Sequence, residues 1–180
     1  MDPSRSQPAL QRFFAGLTEY TFESRLGLAD PPLVDYIARL LTRFVHFDAI
    51  YSVRNPLGKR LEEVAEMLVE ADARVGNPRR EVHRHIGDFT LFWTGIYPEA
   101  LRRFRRKAQL DCFVDYCEQG KRAYYIASTL PAEKDEAEEN HVLERLSHDF
   151  ELCVYGLNEL RREWEKRDDA EPSGGPLIIN

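Results

Sequence analysis

The stretch that decides the fold is residues 81–97, which read EVHRHIGDFTLFWTGIY. At 100° per residue, apolar side chains line one face of a helix over this stretch: Val82, Ile86, Phe89, Trp93 and Ile96. Phe92 widens that face, Leu91 lies almost opposite it, and after His85 the only charged side chain is Asp88. A helix that is apolar nearly all round must be covered on all sides, so the pattern predicts the central helix of an all-α bundle.

Proline marks where several other helices start. It suits the first helical position, because its missing N–H would have no partner there, and an Asp or Asn before it can cap the helix. The marks are Asp30-Pro31, Asn55-Pro56, Asn77-Pro78 and, without a capping residue, Tyr97-Pro98. With the 3.6-residue apolar period between them, they predict a single-domain bundle of about six helices with a long C-terminal helix. The predicted helices span about residues 8–26, 31–47, 56–75, 78–97, 98–128 and 132–166.

The composition fits one folded domain. The chain has 180 residues, of which 43% are apolar and 31% charged, and this balance is typical of a globular protein. We expect a flexible N-terminus at residues 1–7, the helical bundle at residues 8–166 and a disordered tail at residues 167–180. Gly120 marks a candidate break in the fifth helix, and residues 49–53 are the one short candidate for a strand.

Charge and cysteine usage bear on partners and compartment. The formal net charge is -6, which makes a dedicated nucleic-acid binder an unfavoured interpretation. The three cysteines have no metal-site spacing, which favours reduced thiols in a reducing compartment. We find no signal-peptide pattern and no apolar run of membrane-spanning length. The sequence therefore predicts a soluble cytoplasmic protein with no membrane association and no cofactor.

A polar stripe runs beside the apolar face of the central helix. Glu81, His85 and Asp88 are spaced i, i+4 and i+7, so they share one side of the helix, and Trp93 and Tyr97 would shape a pocket next to them. Two carboxylates beside an imidazole favour its protonated form, and the three groups could also bind a metal. The alternative is that His85 and Asp88 are buried structural groups. We predict a candidate ligand site here, without assigning a metal or a catalytic residue.

A basic cluster follows the central helix. Five basic side chains occur within six positions, namely Arg102, Arg103, Arg105, Arg106 and Lys107. They could contact phosphates or an acidic partner, or pair with the acidic run at residues 133–139. A run of charge is most often a solvated helix face, so phosphate or nucleic-acid contact is the weaker alternative.

The preferred functional hypothesis is a non-enzymatic, self-associating helical interaction protein. The short motifs of nucleotide-binding, protease and hydrolase sites are missing. A sixth helix of more than 30 residues would span roughly 50 Å, which exceeds what a compact bundle of this size needs. We therefore expect a homo-oligomer or a protein partner. The alternative is a ligand- or metal-binding bundle with its pocket beside the helix at residues 78–97.

Overall fold

The computed structural model describes the backbone of residues 3–104, 115–132 and 138–170, and the side chains of residues 8–101, 115–132 and 138–167. Within these ranges the chain forms nine α-helices and one π-helical segment, and no strand. The candidate strand at residues 49–53 does not form, because Phe47–Ile50 is a short helix. An isolated bridge joins Arg54 and Arg60 further along the chain. The prediction of an all-α fold is confirmed.

The helices are numbered α1 to α9 in chain order. They are α1 (Pro3–Glu19), α2 (Pro31–Phe44), α3 (Phe47–Ile50), α4 (Val64–Ala73), α5 (Gly76–Ile96), α6 (Pro98–Phe104), α7 (Tyr116–Thr129), α8 (Glu139–His148) and α9 (Phe150–Ala170). The π-helical segment, Tyr20–Arg25, directly continues α1. The chain divides into two compact units, the first from the described parts of residues 1–50 and 155–180, and the second from those of residues 51–154.

Helical backbone reaches further toward both chain ends than predicted. α1 begins at Pro3 and α9 ends at Ala170, so parts of the segments 1–7 and 167–180 are helical. The tail beyond Ala170 lies outside the described residues.

Two of the proline marks behave as predicted and a third is displaced. The Asp30 carboxylate accepts a hydrogen bond from the Leu33 amide at 3.3 Å and caps α2, and Pro98 opens α6. α5 starts at Gly76, whose φ is +62°, and its N-cap is Val75. Asn77-Pro78 therefore lies inside the first turn of α5 instead of preceding it.

The remaining proline mark, Asn55-Pro56, does not start a helix, so the helix start predicted there is wrong. The Asn55 side chain accepts hydrogen bonds from the amides of Leu57 (3.0 Å) and Lys59 (2.9 Å), so it closes a turn. Gly58 completes this turn with a φ of +80°, a value that favours glycine. The same side-chain oxygen can cap a helix or close an Asx turn, and here the nearby glycine selects the turn. α4 begins only at Val64.

The two longest predicted helices are each interrupted. Asp115 is extended and caps α7 by accepting from the Glu118 amide at 3.1 Å, so α7 is a new helix and not a continuation of α6. Gly120 lies inside α7, where no break occurs. Near Asp149 the predicted sixth helix divides into α8 and α9, and α9 has 21 residues. The prediction of one helix of more than 30 residues is therefore wrong.

In the first unit, α9 packs against α1 and the π-helical segment. The Trp164 ring meets Phe13 and Phe14 edge-on, with centroid distances of 5.9 and 5.8 Å. Phe22 lies so close to Gly156 that a Cβ there would overlap its ring. In this unit, aromatic side chains therefore pack α9 against α1 and the π-helical segment.

In the second unit, α5 is the central element, as predicted. Every residue from Ile86 to Ile96 is buried. α7 approaches α5 closely, because a Cβ built on Gly87 would lie 2.5 Å from the Tyr124 ring, and one on Gly120 would overlap Thr90 and Phe150.

This close approach predicts a large effect for a single methyl group. We expect Gly87→Ala to lower the free energy of unfolding by about 1–3 kcal/mol, because the Tyr124 ring must move. Urea denaturation followed by circular dichroism measures it. A Gly87→Ala variant as stable as the parent would contradict the packing described above.

Candidate functional site

The three side chains of the predicted polar stripe on α5 do not converge on one neighbour. Glu81 pairs with Arg80 at 2.7 Å and with Arg84. His85 faces the segment before α4, and Asp88 faces α7. The spacing along α5 is as predicted, but the three side chains have separate neighbours. Within the described ranges, no three His, Cys, Asp or Glu side chains form a group able to hold a metal ion.

Glu81 belongs to an ion-pair network between α5 and α8. Arg80 is fully buried, and its Nε and Nη2 donate to Asn140 Oδ1 at 3.2 and 3.0 Å. Its Nη2 also lies 3.4 Å from Glu139, which pairs in turn with Arg84 at 3.2 Å. Two arginines thus meet two carboxylates and an amide. No local pattern predicts this burial, because arginine is rarely enclosed unless it is paired, and these partners lie about 60 residues away in the chain.

Asp88 is a buried structural carboxylate. It is 1% exposed and accepts a hydrogen bond from the Tyr124 hydroxyl at 2.8 Å. Tyr124 is itself fully buried on α7. A carboxylate at this depth requires such a donor, so the contact supports the structural interpretation of Asp88.

His85 connects the interior of the unit to an exposed hydroxyl. Its Nδ1 lies 3.3 Å from Ser52 Oγ, and Ser52 is exposed. The imidazole also sits 6.3 Å from the Phe89 ring. Next to Ser52, burial and the nearby Glu62 raise the pKa of Tyr51 to about 12.

Trp93 and Tyr97 belong to an aromatic cluster. Their ring centroids are 5.9 Å apart, and both rings contact Phe92. The cluster continues through Phe89 to Tyr51 and Tyr116. The predicted pocket-shaping side chains are thus packed against other aromatic rings, which is the arrangement of a core.

His83 is a second buried histidine of α5 and lies outside the predicted polar stripe. It is 2% exposed, and neither ring nitrogen has a hydrogen-bond partner among the described residues. Burial lowers its pKa, and Arg79 and Arg122 lower it further, while Asp72 opposes them. Burial and the two arginines therefore favour the neutral form of this imidazole.

The side chains of the basic cluster lie outside those that the structure describes. Arg102 and Arg103 lie in the helical backbone of α6, and Arg105, Arg106 and Lys107 lie outside the described residues. Phosphate or nucleic-acid contact through this cluster stays a prediction.

A cleft of about 430 Å³, the α7 cleft, opens beside Cys117, Lys121, Arg122 and Tyr125. Lys121 donates to Glu151 across it at 2.8 Å. Burial, followed by the charges of Asp115 and Glu151, raises the pKa of the Cys117 thiol. A thiol with a raised pKa is a poor nucleophile at neutral pH, so a catalytic cysteine is not favoured here.

The first unit carries a groove between α1 and α2, here called the acidic groove. Its volume is about 390 Å³, its walls carry three carboxylates (Glu19, Glu23 and Asp35), and its apolar residues are Ala15, Pro31, Val34 and Ala38. Asp35 pairs with Arg39 at 3.4 Å in an exposed ion pair.

Along α1 and the first residue of the π-helical segment that continues it, next to the acidic groove, lies a row of exposed apolar residues, here called the α1 stripe. It consists of Ala9, Phe13, Gly16 and Tyr20. Phe13 is 37% and Tyr20 45% exposed, and the space beside Gly16 is open. The spacing of four, three and four residues keeps them on one side of the helix, away from the buried Phe14 and Thr18.

The Asp88–Tyr124 hydrogen bond yields a stability prediction. We expect Tyr124→Phe to lower the free energy of unfolding by about 1–3 kcal/mol, because it leaves a buried carboxylate without this donor. Asp88→Asn alone also destabilises. The double variant should cost less than the sum of the single variants, as expected for groups in contact. Strict additivity in urea denaturation would contradict a direct interaction.

The neutral state of His83 predicts a pH dependence of stability. Its lowered pKa means that the unfolded chain takes up a proton before the folded chain does, as the pH falls below about 6.5. Stability is therefore lost toward lower pH, by at most about 1.4 kcal/mol per pH unit from this one group. Urea denaturation at several pH values should show a smaller acid loss in His83→Leu than in the parent. The exposed His148→Leu should retain the parental slope, and a shared slope for all three would contradict this role.

Within the described ranges, no helix is long and apolar enough to span a bilayer. No protein-family model matches the chain, and neither a curated protein nor a solved structure shows significant similarity to it.

Proposed function

We propose that this protein is a non-enzymatic helical interaction protein that self-associates through the α1 stripe. The observation that carries the proposal is the set of exposed apolar positions at Ala9, Phe13, Gly16 and Tyr20. Single exposed apolar side chains are ordinary on protein surfaces. Four of them at alternating spacings of four and three residues have the period of a helix–helix seam.

The environment of α5 supports a non-enzymatic role. Catalytic acids, bases and nucleophiles must reach a substrate, and their protonation is tuned for that task. Two buried charged groups of α5 instead contact other side chains of the unit, Arg80 with Asn140 and Asp88 with Tyr124. These side chains therefore join α5 to neighbouring helices.

The length of the predicted C-terminal helix no longer supports self-association, because that helix is divided into α8 and α9. The α1 stripe supports it instead. The stripe is a more specific reason, because it names side chains that gain burial when a second helix covers them.

Sedimentation velocity over a wide concentration range tests the proposal. We expect the parent to form a reversible dimer, and Phe13→Ser or Tyr20→Ser to weaken it about tenfold or more, because large aromatic side chains dominate interface energies. Tyr125→Ser is the matched control, since Tyr125 is 53% exposed on α7, outside the stripe. Circular dichroism checks that each variant is folded.

A strictly monomeric parent at all concentrations would contradict self-association. A dimer weakened by Tyr125→Ser and untouched by Phe13→Ser and Tyr20→Ser would place the contact elsewhere.

A second candidate function, ligand or metal binding beside α5, is supported by the Ser52–His85 contact. It brings an exposed hydroxyl to a buried imidazole at 3.3 Å. On this hypothesis, Zn²⁺ raises the melting temperature of the parent and not that of His85→Ala. Equal responses of the two proteins would count against it.

A further inference from the structure

We infer that two copies pair in antiparallel orientation along α1, with Arg12 of each copy against Glu19 of the other. This inference rests on the proposed self-association, and it specifies the partner as a second copy and the orientation of the contact. Three observations carry it: the order of large and small residues in the α1 stripe, the placement of the two charges, and the acidic groove beside them.

The order of side-chain sizes favours the antiparallel orientation. When two identical helices run in opposite directions, residues whose numbers add to the same total lie at the same height. The spacing of the stripe then puts Phe13 opposite Gly16 and Tyr20 opposite Ala9, in both directions. Each large ring meets a small residue, and the open space at Gly16 faces the exposed part of the Phe13 ring of the other copy, whose remaining surface stays packed on Trp164.

A parallel pair would use the same stripe poorly. It would set Phe13 against Phe13, Tyr20 against Tyr20, and Gly16 against Gly16. Large rings would then hold the helices apart at two heights and leave a gap at the glycine between them, and such gaps forfeit packing contacts.

The charges beside the stripe agree with the antiparallel orientation. Arg12 and Glu19 directly precede Phe13 and Tyr20, and both are exposed. Within the described part of the chain, neither side chain forms an ion pair. Both lie on the same flank of α1, seven residues apart. In the pairing that sets Phe13 opposite Gly16, reversing one helix brings Arg12 of one copy within two residues of the height of Glu19 of the other. This offset is about 3 Å along the axis, which the two long side chains can span, and the twofold symmetry repeats the pair.

The acidic groove supplies a further reason for a cation at this flank. Glu19 lines it together with Glu23 and Asp35. In the antiparallel pair, the guanidinium of the partner copy approaches this group of carboxylates, while its aliphatic stem lies over Ala15 and the stripe. A parallel pair would face Arg12 toward the apolar Leu17 position and would leave the carboxylates without it.

A charge-exchange experiment tests the inference on the full chain by sedimentation velocity. R12E and E19R each place like charges together twice, so we expect each variant to dimerise about tenfold more weakly or worse than the parent. An equimolar mixture of R12E and E19R should recover dimer as a heterodimer, because every facing pair then has opposite charges. The double variant R12E/E19R should recover a homodimer for the same reason.

E144R is the matched control for E19R, because it makes the same charge change at an exposed glutamate of α8 that forms no ion pair with the described residues, and it should leave dimerisation unchanged. R12Q and E19Q provide milder variants that remove charge without adding repulsion, and circular dichroism checks the folding of each protein.

The outcomes separate this inference from the proposed function. A monomeric parent would overturn both. A parental dimer that R12E and E19R leave unchanged would overturn the antiparallel pairing and leave self-association standing. Weak single variants that do not recover on mixing would overturn the Arg12–Glu19 contact. Recovery both in the mixture and in the double variant supports it.

Discussion

The missing side chain at Gly87 is the constraint on which the second unit depends. It allows the Tyr124 ring to lie against the backbone of α5, at a distance that a Cβ would not permit. Only at this approach does the Tyr124 hydroxyl reach Asp88, so that close packing and satisfaction of a buried carboxylate have the same cause. Gly120 acts from the other direction, since it admits Thr90 and Phe150 to the surface of α7.

The charged residues of α5 are tolerated because other helices supply their partners. A buried arginine pays a large desolvation cost, and its ion pairs do little more than offset that cost. Arg80 nevertheless has a defined set of partners on α8, including both Glu139 and Asn140. We infer that this network fixes where α8 docks on α5, since any other register would leave the enclosed guanidinium without its two acceptors on α8 and with Glu81 alone. The network around Arg80 therefore determines the position of α8 on α5 more than it adds to the stability of the unit.

Local patterns predicted local features well. The apolar period of residues 81–97 identified α5 as a buried central helix, and Asp30-Pro31 identified the cap of α2. Asn55-Pro56 looked the same in sequence but closes a turn, because the side-chain oxygen of Asn serves either role and only the geometry at Gly58 decides. The division between α8 and α9 was missed for a related reason, since the apolar period continues across Asp149 although the helix does not.

The candidate site was harder to predict, because it depends on which element covers each face of a helix. Spacing correctly placed Glu81, His85 and Asp88 along α5, but it carried no information on whether one neighbour or three would receive them. The pKa of His83 likewise depends on the charged groups that α4 and α7 bring near it, such as Asp72 and Arg122. Such properties belong to the tertiary structure and have no short sequence signal.

Symmetry limits what the α1 stripe can build. An antiparallel pair of identical helices has a twofold axis, so each copy offers the same surface that it covers on the other. In the proposed pair, both stripes would be buried and both Arg12–Glu19 contacts used, which would leave no equivalent surface for a third copy. The contact closes on itself, whereas a head-to-tail contact between different surfaces would continue into a filament. A scaffold built on α1 alone is therefore a dimer, and any larger assembly must use a second, different surface of the molecule.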